Sequence, residues 1–150
     1  MKFSLAYFFL LSLIIISCAT VEMPSGGPID KTPPQLISAV PSDSTTNFNS
    51  KEIIFVFDEF IKSVTKNKVV VNPYLPNNMY DISTQGKKVI LSFNDSLRDN
   101  TTYTITFNQA IIDITEGNIL NRLTYTFSTG ASIDSCFISG KAIISELDLP

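Results

Sequence analysis

Residues 102–107 read Thr-Tyr-Thr-Ile-Thr-Phe, a strict alternation of threonine with bulky apolar side chains. Successive side chains of a β-strand point to opposite faces, so the alternation predicts a strand with one buried and one exposed face. Residues 123–128 repeat the pattern, with Leu123, Tyr125 and Phe127 on the apolar side. Both stretches therefore predict half-buried strands.

Five more short strands are predicted around these two. Residues 52–57, Glu-Ile-Ile-Phe-Val-Phe, are apolar on both faces, which predicts a central strand. Turn residues delimit four others, at residues 36–40, 68–71, 80–84 and 88–93. Seven strands in about 100 residues, with no helical periodicity after the N-terminal segment, predict an all-β fold, an immunoglobulin-like antiparallel β-sandwich.

The turn before residue 103 has a spacing of its own. Leu97 lies six residues and Thr101 two residues before Tyr103, which begins a strand. This spacing is typical of a tyrosine corner, in which the phenol hydroxyl bonds to backbone upstream across the turn. The alternative is a plain turn before an aromatic strand residue. We expect Leu97 and Tyr103 to be structural residues of the core.

The N-terminus predicts export. Met1-Lys2 is followed by an apolar run, residues 3–16, which is shorter than the about 20 residues of a membrane-spanning helix and suits a secretory signal. Residues 15–18, Ile-Ile-Ser-Cys, resemble the lipobox of bacterial lipoproteins. The resemblance implies cleavage of a signal peptide, residues 1–17, and acylation of Cys18. The alternatives are an ordinary signal peptide with a chance cysteine and an uncleaved anchor.

Three further regions come after the signal peptide. Residues 18–31 contain Pro24, Gly26, Gly27 and Pro28 without apolar periodicity, which predicts a flexible lipidated tether. The sandwich is predicted to occupy residues 32–130. Residues 131–150 begin a fresh alternation, so we expect the start of a further β module and a sequence that is the N-terminal part of a longer protein.

The predicted sandwich also resembles a known family. The resembling segments are Asp30–Pro34, Val40–Asp43, Ile54–Glu59, Leu97–Thr106, Asp113, Gly117-Asn118 and Tyr125–Gly130. In order and spacing they resemble the SbsA-type bacterial Ig-like domain. Together with the lipobox and the Gly-Gly-Pro tether, they resemble lipoproteins of the Bacteroidetes type, which implies a lipid anchor in the cell envelope, at the outer membrane. The chain lacks tryptophan and a cysteine pair, so the antibody-type core is absent.

Composition excludes several classes of function. The chain has no histidine, which excludes Ser-His-Asp hydrolysis, Cys-His chemistry and His-ligated zinc. Loss of residues 1–17 removes only Lys2 from the charged side chains, which leaves 10 basic and 14 acidic ones. Such an acidic chain without basic clusters is unsuited to nucleic acid. The lone Cys136 resembles a small apolar side chain more than a nucleophile. We expect no cofactor and no catalytic residue.

Carboxylates are the remaining candidates for ligand chemistry. Asp58 and Glu59 follow a predicted strand, and Asp113 and Glu116 lie in a predicted loop. Oxygen-rich loops at the end of a sandwich can bind calcium, so these four are weak calcium candidates. The stronger interpretation is that such residues build turns.

Three functions remain open from the sequence, the third being an enzyme, which requires that a region C-terminal to residue 150 be catalytic. The first is a non-catalytic, membrane-anchored spacer or presentation domain, bound to lipid through Cys18. The second is a module that binds glycan, calcium or an envelope protein with its sandwich-end loops, and the loop between Tyr74 and Tyr80 could offer rings to a sugar. Those rings could equally cover the edge of the sandwich. Periplasmic and cell-surface display are both compatible with the sequence.

Overall fold

The computed structural model describes residues 27–134, so the predicted signal peptide, Cys18 and Cys136 lie outside the described residues. The described part is almost entirely β-structure, arranged as two antiparallel sheets that face each other across one core. This confirms the predicted all-β sandwich. Within these residues no helix is long and apolar enough to cross a membrane.

Residues 27–134 form eight strands and one short 3-10 turn. Their bounds are β1 Leu36–Val40, β2 Glu52–Phe57, β3 Ile61–Val64, the 3-10 turn Lys66–Lys68, β4 Val69–Asn72, β5 Tyr80–Gln85, β6 Lys88–Phe93, β7 Thr102–Asp113 and β8 Ile119–Ser128. The first sheet has the order β1-β2-β6-β5. The second is built on β7, which pairs with β8 on one side and with β4 and β3 on the other.

Strand β2 shows how the apolar pattern positions the core. Ile53, Phe55 and Phe57 are fully buried, whereas Ile54 and Val56 on the opposite face are half-buried. The strand lies between β1 and β6, as expected for a central strand. A hairpin turn at Gly86-Lys87 joins β5 to β6, and Gly86 takes the left-handed φ of 62° that favours glycine.

Aromatic side chains join the two sheets. Phe55 of the first sheet meets Phe107 and Tyr125 of the second edge-on, with ring centroids 5.3 and 5.2 Å apart. Tyr103 and Phe127 stack within the second sheet at 5.4 Å. Full burial of such a side chain stabilises a fold by about 1.5–3 kcal/mol, so these rings account for much of the attraction between the layers.

The structure corrects three strand predictions. Strand β3 was not predicted, because its four residues, Ile-Lys-Ser-Val, are too few for a clear alternation. Strand β7 continues past Phe107 through a register shift between Asn108 and Ile111, where Gln109 has φ 49°. A bulge adds a residue and breaks the alternation, which is why the pattern ended early. Strand β8 correspondingly begins at Ile119 instead of Leu123.

The chain enters and leaves the sandwich at opposite ends. We call the end that carries residues 58–60, 86–87 and 114–118 the tether end, because Asn118 Nδ2 donates to the Asp30 carbonyl there at 3.1 Å. The far end carries residues 41–51, 94–101 and 129–134. There Asn47 N–H donates to the Gly130 carbonyl at 2.8 Å. The ten residues of β8 between the two ends span roughly 34 Å.

Tyr103 closes a turn at the far end. Its ring is fully buried, and the Arg98 backbone N–H donates to its hydroxyl at 3.0 Å. Leu97 is half-buried and packs against the core. This is the closure across the turn that a tyrosine corner requires.

Replacement of Tyr103 by phenylalanine should therefore cost about 1–2 kcal/mol of unfolding free energy, because the ring stays and one part-buried hydrogen bond is lost. Thr106→Ala, on the half-exposed face of the same strand, should cost less than about 1 kcal/mol. Denaturant titration of the mature chain measures both. A neutral Tyr103→Phe variant beside a strongly destabilised Thr106→Ala variant would contradict this assignment of faces.

Candidate functional site

A cleft opens at the far end of the sandwich. It has a volume of about 440 Å³ and lies between the β1–β2 loop, the β6–β7 loop and the end of β8. These loops are adjacent because Phe93 N–H donates to the Lys51 carbonyl at 2.8 Å and Phe48 N–H donates to the Ser128 carbonyl at 2.9 Å. These hydrogen bonds thus fix the positions of the two loops on either side of the cleft.

The rim of the cleft is polar, and its wall offers little apolar surface. Phe48 and Phe93 lie behind its lining with ring centroids 5.9 Å apart, but Phe48 is only 6% exposed and Phe93 is half-buried, so little ring surface reaches the cleft. Asn49, Lys51 and Asp99 contribute an amide, an ammonium and a carboxylate to the lining. The cleft therefore offers hydrogen-bond donors and acceptors of both charges, which suits a small polar ligand. The cleft is not apparent from the sequence, because its lining comes from loops far apart in the chain.

The acidic candidates lie at the tether end, where Asp113 is fully buried. The structure corrects its position, since Asp113 is the last residue of β7 and not a loop residue. Its carboxylate accepts backbone N–H groups of Glu116, Gly117 and Asn118 at 3.0, 2.7 and 2.9 Å. Burial by itself would raise the pKa of Asp113, but these N–H donors outweigh it and the pKa is lowered. Asp113 thus closes the β7–β8 hairpin.

The neighbouring acids have separate roles. Asp58 Oδ1 accepts the Gln35 N–H at 2.8 Å and so fixes the start of β1. The pKa of Glu59 is raised, first by desolvation and then by the negative charges of Asp113, Asp58, Asp30 and Glu116. Between residues 27 and 134, no group of three or more His, Cys, Asp or Glu side chains lies close enough together to hold a metal ion.

The two tyrosines of the β4–β5 loop have different environments. Tyr74 is 77% exposed, whereas Tyr80 is only 2% exposed. Lys66 Nζ lies 4.7 Å from the Tyr80 ring centroid and donates to the carbonyls of Asn77 and Tyr80 at 2.8 and 2.6 Å. Tyr80 therefore covers the sandwich edge together with Lys66, a residue that belongs to no motif in the sequence. Of the two tyrosines, Tyr74 alone presents an exposed ring.

Comparisons with known proteins bear on the fold and the family. A family model described as "Bacterial Ig-like domain" matches residues 30–129. The N-terminal part of the bacterial S-layer protein SbsC is similar in structure, with a TM-score of 0.44 and 15% identity over 66% of this chain. That match spans only 24% of the SbsC chain. No curated protein has a significant match to the sequence.

A second similar structure is PcoC, a methionine-rich copper resistance protein from Escherichia coli. It has a TM-score of 0.41 and 16% identity, and the match covers 64% of this chain and 97% of PcoC.

The hairpin role of Asp113 predicts a pH-dependent stability. Asp113→Asn should lower the unfolding free energy at neutral pH by about 2 kcal/mol, because a charged acceptor of three N–H groups is lost. The folded pKa lies below the ordinary 3.8, so this contribution is present above that value and disappears as the pH falls through the folded pKa. In denaturant titrations, the difference in unfolding free energy between the parent and Asp113→Asn should decrease as the pH falls through the folded pKa of Asp113.

Glu116→Gln is the matched control, because it removes one negative charge from the same loop without touching the three N–H bonds. It should leave stability nearly unchanged. An equal loss in both variants, or a gap that stays constant with pH, would refute the hairpin role of the Asp113 charge.

Proposed function

Since the chain belongs to the bacterial Ig-like domain family, we propose that it is a lipid-anchored, non-catalytic spacer that holds later parts of its chain away from a membrane of the cell envelope. The observation that carries this proposal is the arrangement of the two chain ends. Residues 27–35 arrive at the tether end, and residues 129–134 leave at the far end. A module with this geometry separates the N-terminal tether from any C-terminal segment by the full length of the sandwich.

The distance between the membrane and a C-terminal segment depends on the lengths of the sandwich and of the tether. Strand β8 accounts for roughly 34 Å between the two ends. The tether predicted for residues 18–31 would add a coil dimension of roughly 20 Å. A segment that begins after residue 134 would then stand well clear of the lipid headgroups, at a distance set mainly by the rigid sandwich.

Lipid attachment is the second part of the proposal and rests on the sequence. The Ile-Ile-Ser-Cys stretch, residues 15–18, comes directly after an apolar run of signal-peptide length. Acylation of both the thiol and the new amino group of Cys18 would supply more than one chain, and two or more chains give stable anchoring where one gives marginal binding. Because the chain resembles Bacteroidetes-type lipoproteins, we propose that it is located at the outer membrane.

A second candidate function is ligand binding at the far end. The cleft with its mixed polar rim favours it over calcium binding, because Asp58 and Asp113 at the tether end already accept backbone N–H groups. A neutral glycan is the ligand class that we propose for this surface, since its hydroxyl groups can bond to the amide, ammonium and carboxylate of the rim.

Lipid anchoring predicts a specific labelling result. When the full-length protein is expressed with a radiolabelled or clickable fatty acid, the parent should be labelled and Cys18→Ser should not be, with the variant accumulating uncleaved. Cys136→Ser removes the other cysteine and should keep full labelling. Labelling of the Cys18→Ser protein at the parental level would refute the anchor.

The two candidate functions predict different results when the protein is titrated with oligosaccharides. A pure spacer should show no saturable binding when the mature chain is titrated with soluble oligosaccharides or applied to a glycan array. Saturable binding that is lost in Asn49→Ala and Asp99→Ala, but retained in Asn67→Ala away from the cleft, would instead establish the second function.

A further inference from the structure

We propose that residues 41–48 and 125–130, together called the clamp, resist tension along the chain, an inference that rests on the proposed spacer function. A module anchored at one terminus and carrying a partner at the other experiences any pull on that partner as a force between its own two ends. In this fold, the segment leading from the anchored terminus is bonded directly to the strand that leads to the other terminus.

Backbone hydrogen bonds form the centre of the clamp. After β1, which belongs to the first sheet, the chain crosses to the second sheet and runs parallel to the end of β8, with Thr45 opposite Phe127. The donor and acceptor pairs are Ser44 N to Thr126 O at 2.8 Å, Ser128 N to Thr45 O at 2.9 Å, Phe48 N to Ser128 O at 2.9 Å and Asn47 N to Gly130 O at 2.8 Å.

Two side chains reinforce these backbone bonds. The Asp43 carboxylate accepts the Thr126 N–H at 2.7 Å. The Tyr125 hydroxyl lies 3.0 Å from the Pro41 carbonyl oxygen and 3.2 Å from that of Ser42. Burial, and after it the Asp43 charge, raise the pKa of Tyr125 to about 12, so its hydroxyl is protonated and can donate at neutral pH.

The direction of the strands decides how the clamp is loaded. Strand β1 runs from the tether end, where Leu36 lies opposite Phe57, to the far end, where Val40 lies opposite Ile54. Strand β8 also runs from the tether end to the far end. A pull between the termini therefore draws residues 41–48 toward the tether end and residues 125–130 the opposite way. The two parallel segments are sheared, so their hydrogen bonds share the load instead of breaking one after another.

The tyrosine corner offers an internal comparison. Tyr103 also has a buried ring and a hydroxyl bonded to backbone, but its partner is Arg98 in the β6–β7 loop. That loop is bonded to Thr129, just after β8, but within the described residues it has no hydrogen bond to residues 41–48 and so does not join the two terminal segments. Loss of the Tyr103 hydroxyl should therefore weaken the folded state without weakening the link between the pulled ends.

Force-clamp spectroscopy tests this on the mature chain, residues 18–150, expressed without the signal peptide. The thiols of Cys18 and Cys136 serve as attachment points on either side of the sandwich. At constant force, Tyr125→Phe and Asp43→Ala should each shorten the lifetime of the folded state by roughly fivefold, the effect of about one hydrogen bond on the barrier. Tyr103→Phe should leave the lifetime near that of the parent.

Equilibrium denaturation of the same proteins completes the test. The two tyrosine variants should lose comparable stability, so a difference in lifetime under load reports on the position of the hydroxyl and not on global stability. If Tyr103→Phe shortens the lifetime as much as Tyr125→Phe, or if neither clamp variant shortens it, the clamp is refuted. That result would contradict the clamp but not the spacer function. Absence of fatty-acid labelling at Cys18 would contradict the lipid anchor but not the clamp.

Discussion

Strand β7 is the element on which the second sheet depends, because β3, β4 and β8 are each hydrogen-bonded to it. Its buried side chains Tyr103, Ile105 and Phe107 also supply one side of the core. The bulge at Gln109 lets this one strand serve two partners in succession, since β4 pairs before the bulge and β3 after it. At its end, Asp113 turns the chain back into β8. Within the described residues, β3, β4 and β8 are thus joined into one sheet through β7.

The two ends of the sandwich are built on different physical principles. At the tether end, a buried carboxylate collects backbone N–H groups, and further negative charges lie around it. Its stability should therefore depend on pH and on ionic strength. At the far end, two tyrosine hydroxyls bond to backbone, and no charge is required for either bond. The end from which the chain leaves is thus held in part by uncharged hydroxyl groups, beside the Asp43 carboxylate that accepts the Thr126 N–H.

The regular parts of this fold can be predicted from the sequence, whereas the irregular parts cannot, for identifiable physical reasons. Strands β1, β2 and β6 have the predicted bounds, because turn residues flank their apolar runs. The clamp was not predicted, because Ser44 and Asn47 have positive φ and its pairing joins residues more than 80 positions apart. Asp113 was assigned to a loop as a weak calcium candidate, since sequence cannot show that three nearby N–H groups already occupy its oxygens.

Exposed sheet edges present a further requirement for a spacer, because an unpaired strand edge can pair with a neighbouring chain. Strand β1 is short and is bracketed by Pro34 and Pro41, which cannot donate to an added strand. Residues 41–48 of the clamp cover the end of β8, and the first half of β8 carries the exposed charge of Arg122. The segment that bonds the two terminal strands together therefore also removes part of an edge from contact with other molecules. Resistance to tension and protection from edge pairing are consequences of the same crossing from one sheet to the other.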